Sequence, residues 1–82
     1  MRIRVDHHRD SRGALVPQRL HFDGRQIDIL ETIDQWHGPD YRYLKVRGDD
    51  GDLYILRFDE SRGEWALTMY QRSQDQAPRS AS

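Results

Sequence analysis

The chain predicts an all-β fold: a single small antiparallel meander of about five to six strands, curled into a roll or open barrel. Three observations carry this. Apolar residues alternate with polar ones in short runs, such as Ile3-x-Val5, Leu20-x-Phe22 and Tyr54-x-Leu56-x-Phe58, the period of a half-buried strand. The glycines fall singly between these runs, mostly beside aspartate, arginine or proline, as turn residues do. The registers of two successive hairpins near the C-terminus also agree on one apolar face, and a one-residue slip in either would destroy that agreement.

Residues 2–6 alternate with Ile3 and Val5 on one side and read as a short strand. His7 to Gly13 is polar, closes on a glycine and reads as a loop. After Pro17 the run Gln18 to Phe22 is a second strand, and Asp23-Gly24 follows it. Aspartate then glycine tolerates the positive φ angles of a two-residue type I′ turn. That turn sets Phe22 opposite Arg25 and Leu20 opposite Ile27, with Ile29 on the same face.

Residues 26–36 carry two periods. Ile27, Leu30 and Ile33 recur every third residue, which suits a helix, whereas Ile27 and Ile29 alternate, which suits a strand. The turn before them and the β-branched isoleucines favour a long strand with a bulge near Leu30-Glu31. Trp36-His37-Gly38-Pro39-Asp40 breaks the pattern as a turn or loop. Three strands then follow at Tyr41–Arg47, Asp52–Phe58 and Glu64–Tyr70.

A three-residue loop Asp49-Asp50-Gly51, with Gly51 left-handed, sets Val46 opposite Tyr54, Leu44 opposite Leu56 and Arg42 opposite Phe58. A four-residue loop Glu60–Gly63 sets Phe58 opposite Trp65, Leu56 opposite Leu67 and Tyr54 opposite Met69. Leu44, Val46, Tyr54, Leu56, Phe58, Trp65, Leu67 and Met69 then share one face, the expected core. At ~1.5–3 kcal/mol for each large apolar side chain fully buried, these eight supply most of the hydrophobic stabilisation. Residues 1–71 form the expected domain, and 72–82, which lack apolar periodicity, the expected disordered tail.

Composition excludes several function classes. The 82 residues hold 13 basic and 14 acidic side chains, a net charge of −1, so no strong field of either sign steers nucleic acid or anionic lipid to the molecule. Twelve of the 13 basic residues are arginine, whose planar fork suits bidentate anion contacts. Absence of cysteine removes disulfides and thiolate metal sites. No apolar run is long enough to span a bilayer and no leader pattern opens the chain, so a cytoplasmic, membrane-free protein is expected.

Chemistry-bearing patterns are sparse. His7, His8, His21 and His37 offer no close same-face spacing for a metal. Asp49, Asp50 and Asp52 sit at a hairpin tip, where aspartate is an ordinary turn residue. Ser11, Thr32, Ser61 and Thr68 lie in no nucleophile motif, and no Gly-x-Gly phosphate loop occurs. No catalytic residue, metal ligand or cofactor is expected.

The face opposite the core carries more information. In the register above it displays Tyr41, Tyr43, Lys45 and Arg47 on one strand, Leu53, Ile55 and Arg57 on the next, and Ala66, Thr68 and Tyr70 on the last. Trp36 lies beside it, as a buried anchor closing its strand or as an exposed contact next to Tyr41 and Tyr43. Aromatic and arginine side chains are enriched at the centres of protein interfaces. Rings with arginines are also the composition of single-strand nucleic-acid platforms. The candidate binding residues are therefore Trp36, Tyr41, Tyr43, Lys45, Arg47, Arg57 and Tyr70.

The pattern Ile3-x-Val5, Pro17-x-x-Leu20-x-Phe22-x-Gly24-Arg25, Ile27-x-Ile29-x-x-x-Ile33-x-x-Trp36, then Tyr54-x-Leu56-x-Phe58-Asp59 and Gly63-x-Trp65-x-Leu67 resembles a small bacterial β-domain family of unknown function. In actinobacteria that family occurs alone or beside genes for a Y-family, damage-tolerant DNA polymerase. The resemblance spans about residues 3–70. Members often carry further tryptophans after the one matching Trp36, where this chain has His37-Gly38-Pro39-Asp40-Tyr41. The resemblance implies a cytoplasmic bacterial protein accessory to DNA-damage handling, and it supplies no catalytic residues.

The expectation is a non-catalytic binding or adaptor module with an unidentified protein partner, itself a monomer or weak homodimer. A single-stranded nucleic-acid binder is the alternative. A small enzyme subunit is a second alternative, requiring a concave pocket with convergent polar groups.

Overall fold

The computed structural model describes residues 1–72. Six strands follow one another: β1 Arg2–Arg9, β2 Leu15–Phe22, β3 Arg25–His37, β4 Tyr41–Gly48, β5 Leu53–Asp59 and β6 Glu64–Gln71. All neighbours pair antiparallel, and β1 returns to β6, so the meander closes into a barrel. Among the described residues there is no helix, and so none able to cross a membrane. The expected tail falls almost wholly outside the described residues.

Two sheets share β1 and β3. The smaller joins β1 through β2 to Arg25–Asp28 of β3, and the larger runs from Ile29–His37 of β3 through β4, β5 and β6 to the first residues of β1. Closure rests on Arg2 opposite Ala66, Ile3 opposite Trp65, and the Leu67 N–H donating to the Met1 carbonyl at 2.7 Å. The core lies between the sheets. Leu44, Val46, Tyr54, Leu56, Phe58 and Trp65 come from the larger; Val5, Leu15, Leu20 and Ile27 come from the smaller; Ile3 sits at the junction. The N-terminal strands thus cover the inner face of the larger sheet and leave its outer face open.

The turns obey the expected chemistry. Asp23 and Gly24 both take positive φ, 54° and 71°, and place Phe22 opposite Arg25 and Leu20 opposite Ile27. Gly51 at φ 86° closes the β4–β5 loop, and Val46, Leu44 and Arg42 face Tyr54, Leu56 and Phe58 as the sequence predicts. Residues 26–36 are strand throughout. The bulge expected near Leu30 is present, and a second follows at Ile33.

Three expectations need correction. The first strand runs on to Arg9, through residues read from sequence as a loop. A shift between Asp6 and His7 lets His7, His8 and Arg9 pair with Pro17, Val16 and Leu15. Proline has no N–H to give a ladder, and the bulge lies beside it at Gln18, where regular pairing is interrupted. The turn shrinks to Asp10–Ala14, where the Asp10 carboxylate accepts the Arg12 and Ala14 N–H groups at 2.8 and 2.9 Å and is held below its usual pKa by them.

The second correction concerns β6. Leu67 faces Leu56, but the register then shifts at Thr68, so that Met69 faces Ile55 and Tyr70 faces Tyr54. Met69, expected in the core, is 59% exposed, and Tyr70, expected outside, turns onto Tyr54. One extra residue inverts the faces of those that follow. The third correction lies at the end of β3: Trp36 and His37, read from sequence as the start of a turn, stay in the strand and pair with Tyr43 and Arg42. The meander curls as expected, and β1 seals it against β6.

Candidate functional site

Alternation along β4 and β5 determines the outer face of the larger sheet. Because Leu44, Val46, Tyr54, Leu56 and Phe58 point inward, Tyr43, Lys45, Arg47, Ile55 and Arg57 must point outward. The ladder arranges them in rows across the strands. One row is Trp36, Tyr43, Arg57 and Ala66; the next is Asp34, Lys45, Ile55 and Met69; a third is Glu31, Arg47 and Leu53.

The aromatic side chains are already stacked. The Trp36 and Tyr43 rings lie parallel, 6° apart with centroids 5.7 Å apart. Tyr41 meets Tyr43 edge to face at 6.4 Å, and the Arg57 guanidinium sits 4.5 Å above the Tyr41 ring. Ring pairs of this kind contribute ~0.5–1.5 kcal/mol beyond area, and an exposed cation over a ring ~0.5–1 kcal/mol. Each contact restricts rotamers before any partner arrives, which lowers the ordering cost of binding. Trp36 is 41% exposed, so it is the exposed contact and not a buried anchor. The β3–β4 turn supports the array: the Gly38 N–H donates to the Tyr41 carbonyl at 2.8 Å, and a Cβ on Gly38 would lie 3.3 Å from the Tyr43 ring.

Charges on this face differ in availability. The Arg47 Nε lies 3.2 Å from Glu31 and is partly neutralised. Among the described residues neither Lys45 nor Arg57 has a carboxylate within ion-pair distance, so both stay available to a ligand. Six of the seven sequence-predicted residues therefore share the face: Trp36, Tyr41, Tyr43, Lys45, Arg47 and Arg57. Tyr70 does not. Its ring packs 5.1 Å from Tyr54, and its hydroxyl donates to the buried Asp52 at 2.7 Å. Met69 takes its place, a residue sequence reasoning missed because strict alternation puts it inside. The one available signal was that Tyr70 carries a donor for Asp52 and Met69 carries none.

The acidic hairpin tip is structural. Asp50 accepts the Tyr54 hydroxyl at 2.5 Å and the Asp52 N–H at 2.9 Å, and Arg25 lies 3.4 Å away. Burial, then this bond, pushes the Tyr54 ionisation well above the usual tyrosine range. Among the described residues no group of three His, Asp or Glu could hold a metal ion.

A polar cleft of about 500 Å³ borders the array and is lined by Arg2, Tyr41, Arg57, Asp59, Ser61, Arg62 and Glu64, among others. Arg2 pairs with Glu64 at 3.2 Å, and Asp59 accepts the Ser61 hydroxyl at 2.8 Å. That hydroxyl bond, with the Arg62 and Ser61 N–H groups, holds Asp59 below its usual range. A carboxylate so stabilised is a weak base at neutral pH.

No family model, curated protein or solved structure matches this chain. Function is therefore read from its own geometry.

Proposed function

We propose that the chain is a non-catalytic interaction module that binds a protein partner through the outer face of its larger sheet. The observation that carries this reading is the pre-stacked, solvent-facing series Trp36, Tyr43, Tyr41 and Arg57, flanked by Lys45, Ile55 and Met69. Tryptophan, tyrosine and arginine dominate binding hot spots, and methionine adapts to irregular partner surfaces. The proposed module is cytoplasmic, and the resemblance noted above makes a DNA-acting protein the first partner class to test.

Single-stranded nucleic acid is the second reading, favoured by the rings and by Arg57, which has no carboxylate partner among the described residues. Two observations weigh against it: Trp36 and Tyr43 already cover one face of each other, and the net charge is −1. Platforms for single strands combine open ring faces with a positive groove.

The test is partner capture from the native host with Tyr43→Ala and Arg57→Ala. Each variant should weaken a captured partner by roughly tenfold or more while its thermal midpoint stays near that of the parent. Retention of every partner by both variants rejects the face. Quenching of Trp36 fluorescence by an oligonucleotide, reversed by salt, would select the second reading.

A further inference from the structure

β3 is held differently along its length. Arg25–Asp28 pairs with β2, whereas Ile29–His37 pairs with β4 alone. Among the described residues no strand pairs with the other edge of Ile29–His37. β2 turns away beyond Arg19 to pair with β1, leaving a fork-shaped cleft of about 440 Å³ between Val16–Arg19 and Asp28–Thr32. Every residue from Leu30 to His37 is exposed, including Leu30 at 64%, Ile33 at 41% and Trp36 at 41%. An open edge presents unpaired backbone donors and acceptors, the template for strand addition.

Charge narrows the occupant. Between Gln26 and Trp36 the strand carries Asp28, Glu31 and Asp34 and no lysine or arginine. Arg19 and Arg47 answer the first two at 2.7 and 3.2 Å. Asp34 accepts the Gln35 N–H but has no basic ion-pair partner among the described residues. A second copy of β3 would bring acid toward acid. Its bulges at Leu30 and Ile33 would also break the two-residue repeat that a rigid strand-to-strand ladder needs. A flexible segment can follow such an edge.

We infer that Ile29–His37 is a strand-addition site that takes an extended segment of a partner protein in which apolar residues alternate with lysine or arginine, one end lying in the fork between β2 and β3. This rests on the protein-interaction reading above and specifies how the partner engages: the added strand extends the larger sheet beside Trp36.

The experiment uses the full chain labelled with ¹⁵N and a capped nine-residue peptide alternating valine and lysine. The lysine peptide should slow amide exchange within residues 29–37. A peptide with glutamate for lysine, and one with N-methylated central valines that cannot complete a ladder, should each bind roughly tenfold more weakly. Asp34→Lys should weaken the lysine peptide several-fold. No protection of 29–37, or equal binding of the N-methylated peptide, overturns the proposal. Protection that grows with protein concentration and needs no peptide also overturns it, in favour of a second copy. Tyr43→Ala separates the two readings. Peptide protection that survives in this variant while the captured partner is lost supports both. Partner loss in Tyr43→Ala, with an edge that no peptide protects in the parent, leaves the face standing and removes strand addition.

Discussion

β5 belongs to two hairpins that behave differently. Toward β4 it keeps one register from Leu53 to Asp59, seven pairs without interruption. Toward β6 it keeps register from Asp59 to Leu56 and then shifts by one residue. The first hairpin lies in the middle of the larger sheet, where both strands have neighbours and straight alternation satisfies burial on one side and solvent on the other. The second lies where the sheet must curl back to β1. A bulge increases local twist and bend, and Thr68, whose hydroxyl donates to the Ile55 carbonyl at 3.0 Å, is the residue inserted there. The comparison teaches that a shared apolar pattern determines facing only as far as the ladder stays regular. Closure then decides which side chain turns onto Tyr54, and the buried Asp52 favours the one with a hydroxyl, while Tyr70 itself stays 39% exposed.

The comparison can be broken most strongly at the row both hairpins share. Leu56 is fully buried between Leu44 and Leu67, so Leu56→Ala should cost about 2–5 kcal/mol in a denaturant titration. A loss under about 1 kcal/mol would mean that this row is not the centre of the core. The regular hairpin depends next on Gly48. A Cβ there would lie 2.6 Å from Ile27 Cγ2 and 3.1 Å from the Tyr54 ring, so Gly48→Ala should cost about 1–3 kcal/mol through overpacking.

The shifted hairpin is tested by a pair of substitutions. Tyr70→Phe removes the donor to Asp52 and should cost about 1–2 kcal/mol, whereas Met69→Ala on the open face should stay within about 0.5 kcal/mol. The reverse order would restore the unshifted register.

The smallest effect is a division of the pH profile between the hairpins. The folded Tyr54 resists ionisation more than the unfolded chain does. Its contribution is present below about pH 10 and lost as pH rises beyond it. Asp59 in the second hairpin is held low, first by Ser61. Its contribution is present above about pH 4 and lost as pH falls through the folded value. Tyr54→Phe should therefore flatten the alkaline limb of the denaturation midpoint, and Asp59→Asn should reduce the acid limb, to which Asp6 and Asp10 also contribute.

Much of the candidate face was legible because it needs only local information. A period of two, a turn type chosen by Asp23-Gly24 or by Gly51, and one consistent register suffice to put Tyr41, Tyr43, Lys45, Arg47 and Arg57 outside. The exposure of Trp36 was open from the sequence, because a tryptophan at a strand end packs inward or outward according to what the turn after it presents. Here Gly38 brings that turn against Tyr43, and Trp36 stacks on the same ring.

By itself the amino-acid order determined strands, turns and facing wherever neighbours along the chain interact, since backbone alternation and left-handed turn residues act over two to four positions. Tertiary structure alone decided the extension of β1 past Asp6, the barrel closure, the exchange of Met69 for Tyr70, and the unpartnered edge of β3. Each of these depends on where a distant strand arrives: Pro17 opposite His7, Trp65 opposite Ile3, Asp52 below Tyr70, and β2 departing at Arg19. Backbone hydrogen bonds must find partners across such distances, and no local pattern records which partner geometry allows.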